Sequence, residues 1–465
     1  MMVVLKHIVG IVKPHVTFYN ESHYFEMKKF FLLIACLLFL LGCRQASKQQ
    51  KSGFSSIIED IPSDNSVTRI IIDDFDPNSV LKFSDIFEDV SFVRLETNDN
   101  CLIGRTDIIV ATENKYIILD SSIAKMIFVF NRDGSFSNRI GTNGNGPEDY
   151  DTPDLIAYDK YKDELLVLCY NKKTILKFKL DGTFVGKVSF DWWINSIFTV
   201  NDNAYLLYFN NYMQPNGKRL DYNIMIINES GEKLENLFPY MKETGELSPP
   251  RPKFSHYNNE IIFSPFYSST VYSLENNKIK PKYYLDFSNR RIPESAIKYK
   301  TDRELRKILK DHDYAFNIAS FETSSHVISQ FSYKGLIYDC FYSKESGNTK
   351  ITTIYFNDMH HLSSIRSFFF LFDDLLISSV DPESIISYKG FIEKSKSSKK
   401  DLSEVMYEHI FPSIPSLFMD KQLKDNFMEL LKSAKITVTN EEIDFINSID
   451  KMDNPILMIV KPKKF

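Results

Sequence analysis

Tryptophan is nearly missing, 2 residues in 465, and cysteine is scarce at 5. So few cysteines, none at zinc-type spacing, exclude a disulfide scaffold and a structural zinc module. An excess of positive charge is also absent. The formal net charge is −5, which argues against a dedicated nucleic-acid binder. No apolar run suits a permanent transmembrane helix, since Phe30–Leu41 falls well short of the ~20 residues needed. What is present is ordinary globular composition, 43% hydrophobic and 25% charged. The aromatics are 38 Phe and 25 Tyr, a bias that with Ile favours strands over helices. The length allows two or three domains, or one large all-β domain.

The short apolar run nevertheless has a context. Met27-Lys28-Lys29 precedes it and Leu40-Leu41-Gly42-Cys43 follows. A positive start, a short apolar core and a small residue at the cut site describe a secretory signal peptide. The last four residues resemble the lipobox of bacterial lipoproteins, in which the chain is cut before the cysteine and that cysteine is lipidated. Residues 27–42 are therefore expected to be the signal and Cys43 the lipidation site. Residues 1–26 are then a mis-called extension, with translation starting at Met27. Residues 43–66, which include the polar stretch Arg44–Ser55, read as a tether to a folded domain over 67–465. The expected location is the envelope of a Gram-negative-type bacterium, on the outer membrane, with the membrane as partner through Cys43. No acidic cluster directly follows Cys43, which leans towards the periplasm-facing side. Cys101, Cys169 and Cys340 remain, an odd number that leaves at least one thiol free. Cys169 and Cys340 lie in apolar strand patterns and read as small buried hydrophobes.

The folded part repeats. Tyr116–Asp120, Lys125–Phe130 and a third run ending at Ile140 surround a turn at Asp133-Gly134. The pattern returns around Asp181-Gly182 and again around Ser230-Gly231, so the turn glycines are spaced by 48 and 49 residues. A fourth copy turns at Asn276-Asn277. Asp-Gly, Ser-Gly and Asn-Asn tolerate the positive φ of tight hairpins, and a period of about 40–50 residues with several strands per copy is the mark of a β-propeller blade. Beyond residue 285 the period loosens. Residues 293–310 and 384–450 read as helical insertions, with strands at Val327–Tyr333, Leu336–Tyr342, Lys350–Phe356 and Phe368–Ile377. The final run at Asn454–Val460 is expected to share a blade with an early strand near Arg69–Asp73 and so fasten the ring.

Phe92-Val93-Arg94-Leu95-Glu96-Thr97, the stretch Phe128–Tyr150 and the terminal Asn454-Pro455-Ile456-Leu457 together resemble the six-bladed β-propeller lipoprotein family, itself similar to NHL-repeat propellers. The resemblance runs from about Val67 to the C-terminus. It implies an all-β, six-bladed β-propeller tethered to a membrane, and little about activity.

Chemistry is harder to read. The Gly-rich loop Gly141–Pro147 lacks the following helix, Lys and Ser/Thr of a phosphate cradle, and reads as a connection between blades. Asp358 with His360-His361, and Asp311-His312-Asp313, hold metal-ligand types, but neighbours on a strand point to opposite faces. No nucleophile elbow and no cofactor motif occur. Trp192-Trp193 falls where one blade hands over to the next, and exposed aromatics there suit a sugar or aromatic ligand; on a strand, one of the pair would instead face the core. Arg251 and His256, on a proline-flanked polar loop, are the other ligand-binding candidates. The expected function is a non-catalytic, membrane-anchored propeller that binds a glycan, a peptide or an envelope protein. The alternative is an envelope hydrolase or lyase acting on glycans or lactones with a divalent cation in the central channel.

Overall fold

The computed structural model describes residues 66–465, apart from 73–74, 211, 215, 240–253, 266, 298–300, 361–369, 414–420 and 434–437. The expected extension, signal peptide, lipidated Cys43 and nearly all of the tether lie outside the described residues.

Six blade sheets follow one another along the chain, each built on four antiparallel strands ordered from first to fourth, and one of them carries a fifth strand. Blade 1 consists of Ile108–Ala111, Lys115–Asp120, Met126–Asn131 and Phe136–Arg139; blade 2 of Leu155–Asp159, Glu164–Cys169, Thr174–Lys179 and Phe184–Ser189. Blade 3 follows as Ser196–Asn201, Ala204–Tyr208, Tyr222–Asn228 and Lys233–Pro239, and blade 4 as Phe254–Tyr257, Glu260–Phe263, Thr270–Glu275 and Lys278–Asp286. Blade 5 is Ala315–Glu322, His326–Tyr333, Leu336–Ser343 and Thr349–Thr352. Blade 6 takes Phe370–Phe372, Leu375–Val380 and Ile456–Pro462 from the C-terminal part, and Phe87–Arg94 from the N-terminal part.

The middle strands are apolar without a break because both their faces are covered. In Lys115–Asp120, Ile117 and Leu119 pack towards blade 2, whereas Tyr116 and Ile118 pack towards blade 6. Strand alternation thus gives each blade two cores, one shared with each neighbour. The same arrangement joins blades 2 and 3, 3 and 4, 4 and 5, and 5 and 6. A six-bladed β-propeller with helical insertions is the architecture.

The repeated turns act between blades as well as within them. Gly134, Gly182 and Gly231 sit at φ of 89°, 92° and 83°. A Cβ at these positions would meet the carbonyl oxygens of Arg94, Arg139 and Ser189 at 2.0, 3.0 and 2.9 Å. Each of these carbonyls lies at the end of the fourth strand of the preceding blade. Glycine is needed here both for the turn and for the close approach of the neighbouring sheet.

The chain departs from the sequence expectations in three places. The last strand does close the ring, but against Phe87–Arg94, with Leu457 opposite Val93 and Ile459 opposite Ser91. Thr68–Ile71 instead adds to blade 4 as a fifth, parallel strand. Lys350–Phe356 is not one strand: after Thr352 the chain leaves blade 5, and Ile354–Phe356 pairs in parallel with Val80–Lys82. The run expected at Phe368–Ile377 holds, within its described residues, a hairpin of Phe370–Phe372 with Leu375–Val380. The N-terminal segment therefore runs as a strap across three blades. Arg69 bonds Asp286 on blade 4, and Phe75 sits edge-on to Phe331, Tyr333 and Tyr338 of blade 5 at 5.4, 5.6 and 5.2 Å before the chain enters blade 6.

Besides the single turn Phe83–Ile86 in the strap, helices occupy two connections among the described residues. Glu294–Ile297 and Asp302–Asp311 join blades 4 and 5, the second opened by a Thr301–Glu304 capping box. Pro382–Ser398, Leu402–Ser413, Lys421–Ser433 and Asn440–Asn447 lie between the second and third strands of blade 6. They bury Ile385, Tyr388, Phe427 and Leu431 against the blade 5–6 core, so the insertion leaves the ring of blades intact.

Candidate functional site

The first strands of the six blades face a central channel. It has a volume of about 1600 Å³, and each of the six blades contributes to its wall. One end is bordered by connections between blades, the other by the turns from first to second strand; these are called here the upper and lower ends.

Two carboxylates at the upper end, Asp107 and Asp154, are engaged in holding the blades, while Asp381 of blade 6 is exposed there. Asp107 accepts from the Ser121 amide and hydroxyl at 2.9 and 2.8 Å, and from the Ser122 hydroxyl at 2.9 Å. Arg105 pairs with it at 2.9 Å. One blade on, Asp154 accepts from the Tyr170 amide at 2.7 Å. The position recurs in blade 3 as Asn195. Its backbone N–H donates to Tyr208, as that of Asp107 does to Leu119 and that of Asp154 to Leu168. These three residues immediately precede the first strands of their blades.

The lower end is aromatic. The His256 ring lies 4.6 Å from Phe198 and edge-on to Tyr161 at 6.2 Å, while Phe198 stacks on Phe254 at 5.8 Å. Phe198, Phe254 and His256 line the channel from blades 3 and 4, Tyr158 from blade 2, and Phe370 and Phe372 from blade 6. Lys160 reaches in from the turn of blade 2, its Nζ 5.3 Å from the Tyr161 ring centre. Burial and the nearby charge of Lys160 push the His256 imidazole down to about 4, so it is neutral at pH 7. Burial lowers the Lys160 ammonium too, with Asp373 opposing the shift. The Tyr158 hydroxyl donates to Asp163 at 2.8 Å and, being buried, titrates higher than usual.

Of the residues singled out in the sequence, His256 lines this channel. Trp192 and Trp193 do not. Trp192 is partly buried against the blade 2–3 core, as one of the pair was expected to be, and Trp193 is 48% exposed. Gln214 fixes Trp193 by accepting from its amide at 2.9 Å and donating to its carbonyl at 3.1 Å. Arg251 lies outside the described residues. Among the described residues no three His, Cys, Asp or Glu side chains converge as a metal site. His360 packs edge-on to Phe92 at 6.0 Å, and Asp358 caps Ser84 through its amide and hydroxyl; His361 lies outside the described residues. Asp313 pairs with Lys334 at 3.3 Å while His312 stacks on Tyr314. The Gly-rich loop does join blades 1 and 2, and Lys172 ties it down through the carbonyls of Gly144 and Asp149. Cys101, Cys169 and Cys340 are buried free thiols, Cys169 pushed up to about 12 by burial. Lys160, Phe198 and the blade 6 phenylalanines carry no local motif. Only the repeat length, which sets where first strands fall, hints at them.

Residues 67–410 match the family described as Domain of unknown function (DUF4934), and the chain belongs to that family. No curated protein matches it. Among solved structures it is similar to a Bacteroides fragilis protein described as exported, at 18% identity and a TM-score of 0.64, covering 86% of this chain and 100% of that one. It is also similar to a member of the duf4221 family from Bacteroides vulgatus, at 10% identity and a TM-score of 0.41 over 63% of this chain and 91% of the other. The first likeness is one of fold.

Proposed function

We propose that this member of the DUF4934 family is a lipid-anchored envelope protein that binds a small ligand in its central channel without transforming it. The observation that carries the reading is the channel itself: about 1600 Å³, polar at one end and walled by aromatic side chains at the other. Pockets that recognise small molecules combine such apolar walls with a few placed polar groups. Two of the upper carboxylates, Asp107 and Asp154, are committed to backbone amides and hydroxyls, and the aromatic end supplies the apolar surface for recognition. Anchoring rests on Met27–Cys43, and the envelope location is supported by that segment and by the exported description of the Bacteroides fragilis protein.

Two experiments test the two halves. Expression in a bacterium fed an alkyne fatty acid should label the wild type and leave Cys43→Ser unlabelled; equal labelling of both removes the anchor. Thermal unfolding of residues 46–465 against glycans, peptides and small organic ions should find a stabilising compound whose effect is lost in Phe198→Leu. Loss in Trp193→Ala instead would move the site out of the channel.

A further inference from the structure

Resting on the channel reading, we propose that the lower end is specific for a ligand bearing one anionic group on a flat apolar ring, with Lys160 as the anion's partner. Three observations place the charge and the ring together. Lys160 projects into the channel from the blade 2 turn, and among the described residues it has a ring neighbour, Tyr161, but forms no ion pair. An exposed ammonium that feels Asp373 only at a distance and forms no ion pair gains from any anion that reaches it. Beside it stand Phe198 and His256, with ring centres 4.6 Å apart, and Tyr161 stands edge-on to His256. The channel-lining rings of Phe198 and His256 suit a planar ring, which favours offset-stacked or edge-on contact.

The third observation limits the ligand's charge. Glu113, Asp163 and Asp373 belong to the first-to-second-strand turns of blades 1, 2 and 6, and all three line the same channel end as Lys160. His256 is neutral at pH 7 and supplies no second cation. Lys115 lines this end too, but its ammonium donates to Asn131 and Ser137. A polyanion would meet three carboxylates for two ammoniums, whereas a monoanion seated at Lys160 keeps its apolar part towards the rings.

Two dyes that share a skeleton test this, 8-anilinonaphthalene-1-sulfonate and its uncharged counterpart N-phenyl-1-naphthylamine, titrated by fluorescence against the full folded chain. Wild type should bind the sulfonate more tightly than the neutral dye, and added salt should weaken only the sulfonate. Lys160→Met should bind the sulfonate about tenfold or more weakly, the scale of one charge-assisted hydrogen bond, and the neutral dye as before. Lys160→Arg should retain most of the preference, and Asp373→Asn should tighten the sulfonate. Unchanged sulfonate affinity in Lys160→Met, at an unchanged unfolding midpoint, overturns the inference while leaving the channel reading standing. Failure of wild type to bind either dye, or equal affinity for both dyes in wild type and Phe198→Leu, overturns the channel reading and this inference with it.

Discussion

Replacing Gly134 with alanine should cost far more than an ordinary turn substitution, because the residue serves two structures at once. At φ 89° an L-residue is strained by roughly 1–2 kcal/mol. The new Cβ would also lie 2.0 Å from the Arg94 carbonyl, at the end of the strand that closes the ring. Relieving that overlap must push the blade 1 turn away from Phe87–Arg94. The shift strains two bonds that cross the same seam, Glu96 N–H to the Gly134 carbonyl at 2.8 Å and Phe136 N–H to the Glu96 carboxylate at 2.8 Å. Overpacking of this kind adds about 1–3 kcal/mol, for a total of roughly 2–5 kcal/mol. Gly217 provides the control: its φ is 71°, but nothing lies within 4 Å of the Cβ position, so Gly217→Ala should show the backbone strain alone. Gly182→Ala and Gly231→Ala, with approaches of 3.0 and 2.9 Å, should fall between. Equilibrium urea unfolding of residues 46–465 measures all four. A Gly134→Ala variant no less stable than Gly217→Ala would refute the claim that these turns bear on the neighbouring blade.

Three further outcomes are expected. His256 and His326 are both pushed down to about 4, chiefly by burial. The unfolded chain therefore takes up protons first, and stability should fall as pH drops from about 6.5 to 4; His256→Phe should flatten that slope by up to roughly 3 kcal/mol across the window, and an unchanged slope in urea titrations at several pH values would count against a buried neutral imidazole. Asn454→Ala should destabilise by about 2–4 kcal/mol, since Asn454 donates to the Glu96 and Cys101 carbonyls and accepts from the Ile103 amide, leaving buried groups unpaired. Phe75→Ala should cost about 3 kcal/mol by emptying the cluster of Phe331, Tyr333 and Tyr338; a loss under 1 kcal/mol in the same unfolding assay would show that the strap adds little.

The repeat was legible in the sequence where a local rule fixes geometry. Asp133-Gly134, Asp181-Gly182 and Ser230-Gly231 announce their hairpins, and the second and third strands stand out because neighbouring blades bury both faces. The first strands were not legible. Phe254–Tyr257 and Leu155–Asp159 are short, and one side meets a channel, so their patterns carry neither clean alternation nor a long apolar run. The identity of the closing strand was hidden for a different reason. Thr68–Ile71 and Phe87–Arg94 are both plausible strands, and length decides between them: the longer one pairs with Ile456–Pro462 at seven positions. Arg94 also reaches Asp453 at 2.7 Å. The channel end depends on ring closure, which brings Lys160, Phe198, His256 and Asp373 to one place from blades 2, 3, 4 and 6. No spacing rule along the chain links them, which is why Trp193 looked as promising as His256.

The measurement that bears most directly on the account is thermal unfolding of residues 46–465 with a panel of small ligands, repeated on Phe198→Leu and Trp193→Ala. A channel ligand at ~100 times its dissociation constant should stabilise the wild type by about 2.7 kcal/mol. That gain should survive in Trp193→Ala and shrink in Phe198→Leu. A stabilising ligand whose effect is untouched by Phe198→Leu and abolished by Trp193→Ala would contradict the account, because the site would then lie on the connection between blades 2 and 3 rather than in the channel.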